Sequence, residues 1–158
     1  LVIRMIHLGP LDAVIINPYL LPTLAGLVAA LVGKILYYSW QRKSLTFKRF
    51  WRDGGMPSAH TAFITALTTS VFIHEGLAAV SWVALAFTFI VMHDAIGVRF
   101  QTGRQAAAIN SIIRSIQGQS RLKQSSVKEI LGHTPTQVGV GLIVGVSTSV
   151  LINILLFV

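Results

Sequence analysis

The chain has 158 residues, 53% of them hydrophobic and only 11% charged, with a mean hydropathy of +0.70; a soluble domain carries about a quarter charged residues, which argues against an ordinary soluble globule and against disorder. Thirteen Lys and Arg stand against five Asp and Glu, for a net charge of +8, a pairing that points to a membrane protein handling anions rather than to a nucleic-acid binder with a basic, polar surface. There is no cysteine, which excludes disulfides, thiolate metal sites and cysteine nucleophiles.

Residues 1–18 read as an interfacial lead-in, because the apolar stretch Leu11 to Leu21 is broken by Asn17 and Pro18. A signal peptide fits poorly, since no small-residue cleavage site follows a short apolar core. A first span is expected at about 20–38, with Pro22 in its first turn and Lys34 near its far end. Crossing roughly 30 Å of hydrocarbon takes about 20 residues at 1.5 Å each. The loop that follows carries Arg42, Lys43, Lys48, Arg49 and Arg52 against Asp53. Tyr37, Tyr38, Trp40 and Trp51 form an interfacial aromatic belt there, with Trp82 at the other face.

A second span, about 57–76, begins at Gly54-Gly55-Met56-Pro57-Ser58-Ala59-His60. Two glycines permit a tight backbone, and a proline suits a first helical turn. The free N–H groups of such a helix start attract anions. Ser58 adds a hydroxyl donor, and His60 exchanges a proton near neutral pH; the alternative is a capped helix start with a satisfied histidine. His74, Glu75 and Gly76 make a short turn without Lys or Arg.

A third span, about 77–98, is uncharged until Asp94. The polar segment 99–135 is too long to lack structure. Ile109, Ile112, Ile113 and Ile116 recur at helical spacing, which predicts an amphipathic helix lying on the bilayer or packed on the bundle. Ser126 and Glu129 form a capping box before a short helix ending at Gly132. A fourth span, about 136–158, carries Gly139, Gly141 and Gly145, small residues suited either to packing within the bundle or to a homo-oligomer.

The fold class is therefore all-α: a single polytopic membrane domain over 1–158, with about four spans and one amphipathic helix. Basic residues concentrate in the first and third loops, and the positive-inside rule assigns those loops to the cytoplasm. The same topology gathers Lys34, His60, Asp94, Arg99 and His133 at that face. Ionisable groups at membrane depth are costly and mark function.

Three separated blocks, GGMPSAH at 54–60, DAIGVRFQTGRQAAAIN at 94–110 and LGHTPTQV at 131–138, resemble the divergent PAP2 family over about residues 20–158. That family is a membrane branch related to type 2 phosphatidic acid phosphatases and vanadium-dependent haloperoxidases. The resemblance implies a phosphohistidine mechanism without a metal or other cofactor, and phosphate or vanadate as ligands. It implies His133 as nucleophile, His60 as general acid, and Lys34, Arg42, Ser58, Arg99 and Arg104 as holders of the phosphoryl oxygens. Membrane lipids and a lipid-phosphate substrate are the implied partners, with no nucleic acid. Two departures stand out: Ala59 replaces the glycine of the PSGH pattern, and Gln137 stands where the divergent branch typically has Glu. Gln137 orients the histidine but adds no charge. Asp94 either supplies the missing catalytic carboxylate or pairs with Arg99 or Arg104.

Overall fold

The computed structural model describes residues 17–42, 55–117, 126–127 and 132–157, apart from the side chains of 41, 42 and 117. The described residues form five helices: α1 Leu20–Arg42, α2 Ala59–Glu75, α3 Ala79–Ile96, α4 Val98–Gln117 and α5 Pro135–Leu156. The starts of α1, α2 and α5 have a local cause. The Asn17 side chain accepts from the N–H groups of Tyr19 and Leu20 at 2.9 and 3.0 Å. Ser58 caps α2, and α5 opens with a capping box between Thr134 and Gln137, followed by Pro135. These side chains and the proline answer the N–H groups that a helix start leaves unpaired. Helix α2 stops at Gly76, whose φ of +61° suits a residue without a Cβ.

Helices α1, α2 and α5 pack on one another most extensively; α3 leans on α2, and α4 on α3. Small residues let the first three approach. A Cβ at Gly145 would lie 2.1 Å from Thr65 Oγ1, one at Gly141 2.6 Å from the Ser58 carbonyl, and one at Gly26 2.7 Å from Ala66 Cβ. Two of the three glycines of the last span thus pack within the bundle. A Cβ at Gly139 would meet nothing within 4 Å.

The side chains are arranged opposite to those of a water-soluble bundle. Ala30, Ala62, Ala66, Thr61, Ser70, Ser149 and Asn153 are buried, whereas Leu24, Val28, Val32, Phe87, Phe89, Ile90, Leu151 and Ile154 are exposed. Soluble monomers rarely show such continuous apolar surface, and lipid is the solvent that accepts it. Three stretches have the length and composition to cross a membrane: Leu20–Trp40, Ala79–Ile116 and Pro135–Leu156. Helix α2, with 17 residues, reaches only about 26 Å at the standard rise. It occupies the middle of the bundle, and three of the four expected spans have the length and composition to cross on their own.

The expected third span and amphipathic helix prove nearly continuous, with Gly97 alone between α3 and α4. On α4 the buried side is Gly103, Ala106 and Asn110, while Ile109, Ile112 and Ile116 are exposed. Asn110 pairs with the Val127 backbone in both directions at 2.8 Å. The isoleucine stripe is therefore turned to the surroundings and not to the bundle. Ser126 and Val127 are not helical. The rest of the expected short helix before Gly132, the lead-in 1–16 and the basic stretch 43–54 lie outside the described residues.

Candidate active site

The site forms where α2 and α5 begin and α3 ends. The first turn of α5 is tied to the start of α2 by Ser58 N–H donating to the Gln137 carbonyl at 3.0 Å, and His133 N–H donates to the Ala95 carbonyl at 3.1 Å. Just before it, Gly132 lies against the α3–α4 junction, where a Cβ would fall 2.2 Å from the Phe100 nitrogen. Only glycine allows that approach, so the segment carrying His133 is clamped from both sides.

His133 is buried, and its Nδ1 lies 3.2 Å from Gln137 Oε1. The same oxygen accepts from the Thr134 backbone N–H at 3.1 Å. That N–H can only donate, so it fixes the amide with its oxygen toward the ring. An amide oxygen can only accept, so a hydrogen on Nδ1 suits it, and the Gly55 backbone is a second hydrogen-bond partner of the ring. Burial holds the His133 pKa below its ordinary 6.5; the charges of Lys34 and His60 act in the same direction, against hydrogen bonds to the Gln137 side chain and the Gly55 backbone. The environment favours a neutral imidazole.

Ser58 is fully buried, and its oxygen accepts from Thr61 N at 3.4 Å and Thr61 Oγ1 at 2.9 Å. Its own proton is therefore left to donate. His60, in the first turn of α2, is exposed. Lys34 is buried on α1, and its chain runs past Gly55, where a Cβ would lie 3.0 Å from Lys34 Cε and 2.6 Å from the Tyr38 hydroxyl. Gly55 also has a φ of +94°. A left-handed backbone and a close approach together demand glycine there.

The structure thus brings together His133, Gln137, Ser58, His60 and Lys34. Asp94 is elsewhere engaged: its Oδ2 accepts from Arg99 Nε at 2.7 Å, with both side chains well exposed. Of the two roles open to Asp94, the ion pair is the one present, and Gln137 is the group on His133. Arg104 is exposed on α4 beyond Arg99. Arg42 ends α1, and its side chain lies outside the described residues. Thr61 was not singled out from sequence, and Tyr38 was read as part of the interfacial belt rather than of the site; the contact of Gly55 with Tyr38 arises only when α1 meets the loop before α2.

Polar small side chains inside and large apolar side chains outside define an integral membrane protein with a histidine-bearing polar site at one end of its helices. The chain belongs to the Divergent PAP2 family, which matches residues 15–148. It is 34% identical to the Uncharacterized membrane protein YuiD of Bacillus subtilis (strain 168), across 80% of this chain and 88% of that one. No solved structure matches.

Proposed function

We propose that the protein is a membrane-embedded, metal-independent phosphatase that hydrolyses a lipid phosphate or isoprenoid diphosphate through a phosphohistidine at His133. The observation that carries the reading is the relay from Thr134 N–H through Gln137 Oε1 to His133 Nδ1, which orients the buried ring beside Ser58, His60 and Lys34. In the first step Nε2 attacks phosphorus, the P–O bond to the leaving group breaks, and the departing oxygen takes a proton from the His60 imidazolium. In the second, His60 accepts a proton from water, which displaces His133 and releases phosphate. Lys34, the Ser58 hydroxyl, Arg99, Arg104 and Arg42 hold the phosphoryl oxygens, because such a transfer depends mainly on alignment and charge stabilisation. The four-span arrangement and the cytoplasmic position of the site belong to the same reading.

A second reading rests on Gln137 and on the Asp94–Arg99 pair. With no carboxylate on His133, the imidazolium formed in the cycle lacks a counter-charge, and the same pocket serves a lipid-phosphate binding or transport protein without turnover. One experiment separates the two. Detergent-solubilised protein with a chelator present is expected to release inorganic phosphate from a lipid phosphate. His133→Ala should abolish release, and His60→Ala should lower it by about 10²–10⁴-fold. Unchanged turnover in His133→Ala removes the mechanism; vanadate binding with no release from any lipid phosphate supports the binder.

A further inference from the structure

Helix α4 begins one residue after a helix long and apolar enough to span, and charge marks where that happens. Asp94 in the last turn of α3 and Arg99 in the first turn of α4 form an exposed ion pair at 2.7 Å, which belongs at the polar boundary of the bilayer and not in its hydrocarbon. Helix α3, with 18 residues, covers about 27 Å at the helical rise, close to the roughly 30 Å of the core. Running straight on, the 20 residues of α4 would carry its far end about 30 Å into water.

The helical period gives α4 three faces. Gly103, Ala106 and Asn110 are buried, and Asn110 bonds the Val127 backbone, so this face is docked. Gln105, Ile109, Ile112 and Ile116 make a second face, with the isoleucines 45, 58 and 51% exposed. Arg104, Ala107, Ser111 and Arg114 make a third, exposed throughout and on the side away from the isoleucines. Beside the paired Arg99, α4 therefore carries two cations, and it has no acidic residue along its length.

The two undocked faces say together what the outward side of α4 meets. Three exposed isoleucines beside a membrane span are out of place in water, and arginines across from them make full immersion in hydrocarbon costly. The boundary between acyl chains and headgroups satisfies both faces, and anionic headgroups complement the positive charge.

We propose that α4 turns at Gly97 and lies along the bilayer surface at the candidate site's end, with Ile109, Ile112 and Ile116 in the acyl boundary and Arg114 among anionic phospholipid headgroups. Gly97 is the one residue between the two helices, and its ψ of −84° departs from the helical value, so the turn has a place. Neither turnover nor a phosphate at His133 is required, and the test is carried by Arg114 because Arg104 has a role in the phosphatase reading.

The chain has no cysteine, so Ile112→Cys and Ser111→Cys can each carry one environment-sensitive NBD label on the full chain, reconstituted in phosphatidylcholine vesicles with or without phosphatidylglycerol. With phosphatidylglycerol, the label at 112 is expected to emit further to the blue, to be quenched by nitroxides on the upper acyl chain and to be shielded from aqueous iodide, while the label at 111 stays open to iodide. Omitting phosphatidylglycerol, raising the salt or adding Arg114→Gln should each let iodide reach the label at 112. Equal iodide quenching at both positions puts α4 in water and overturns the proposal. A label at 112 shielded from iodide and nitroxide alike, with energy transfer between copies, gives the stripe to a second chain and overturns it too. Lipid burial indifferent to phosphatidylglycerol, salt and Arg114→Gln removes the anionic partner.

Discussion

Gln137 does two things with one oxygen: it caps the first turn of α5 and it bonds the His133 ring. A nucleophilic imidazole must be neutral. Because burial lowers the His133 pKa, the acid limb of kcat/KM is expected below pH 6.5. Gln137→Glu keeps the cap but adds a negative charge, and should move that limb to higher pH, measurable in a pH series of phosphate release. The same depression affects folding. Between the folded and unfolded pKa values the unfolded chain binds the extra proton, so this contribution to stability is present above about pH 6.5 and is lost as pH falls through the folded value. At this scale much was legible: His133 and Gln137 stand four apart, and Ser58 and His60 sit at a recognisable helix start. The partner of Asp94 was not, since a carboxylate near two arginines has several partners in sequence and only one in space.

Among the elements, the contact between α2 and α5 is held by a line of buried polar groups. Ser149 donates to the Ala66 carbonyl, Asn153 donates to Ser70, and Asn153 Oδ1 lies 2.7 Å from His74 Nε2. Sequence suggested His74 as mere turn polarity, but it is in the last turn of α2 and engaged with α5. An asparagine within an otherwise apolar span was the available signal. Asn153→Leu leaves Ser70 and His74 without their partner and should cost about 1 kcal/mol, read as a lower melting temperature in detergent. The glycines supply a paired test. Gly145→Ala drives a methyl into Thr65 and Ala62, for an expected loss of about 1–3 kcal/mol, whereas Gly139→Ala, with open space around it, should leave the melting temperature nearly unchanged. Helix periodicity foretold both faces of α4, but which one docks depends on Asn110 meeting Val127, a contact across 17 residues.

For the whole molecule, charge predicts an orientation. The first loop carries Lys43, Lys48, Arg49 and Arg52 against Asp53, and by the positive-inside rule such a loop is expected in the cytoplasm. The chain is free of cysteine, so Lys48→Cys offers a clean probe. A membrane-impermeant maleimide should label it only after the cells are permeabilised, and labelling of intact cells would reverse the orientation and move the candidate site to the other side.

Composition and hydrophobic runs were enough to establish a helical membrane protein, because the bilayer imposes a length and a polarity rule on every span. Local motifs were enough to identify the helix starts and the residues that meet there, since capping and anion binding depend on a few adjacent positions. Tertiary structure decided the rest: that Gln137 and not Asp94 holds His133, that Gly141 and Gly145 are used within the bundle, and that the isoleucine face of α4 turns outward. Each of these is a choice among neighbours distant in sequence, and only the packing of whole helices makes it.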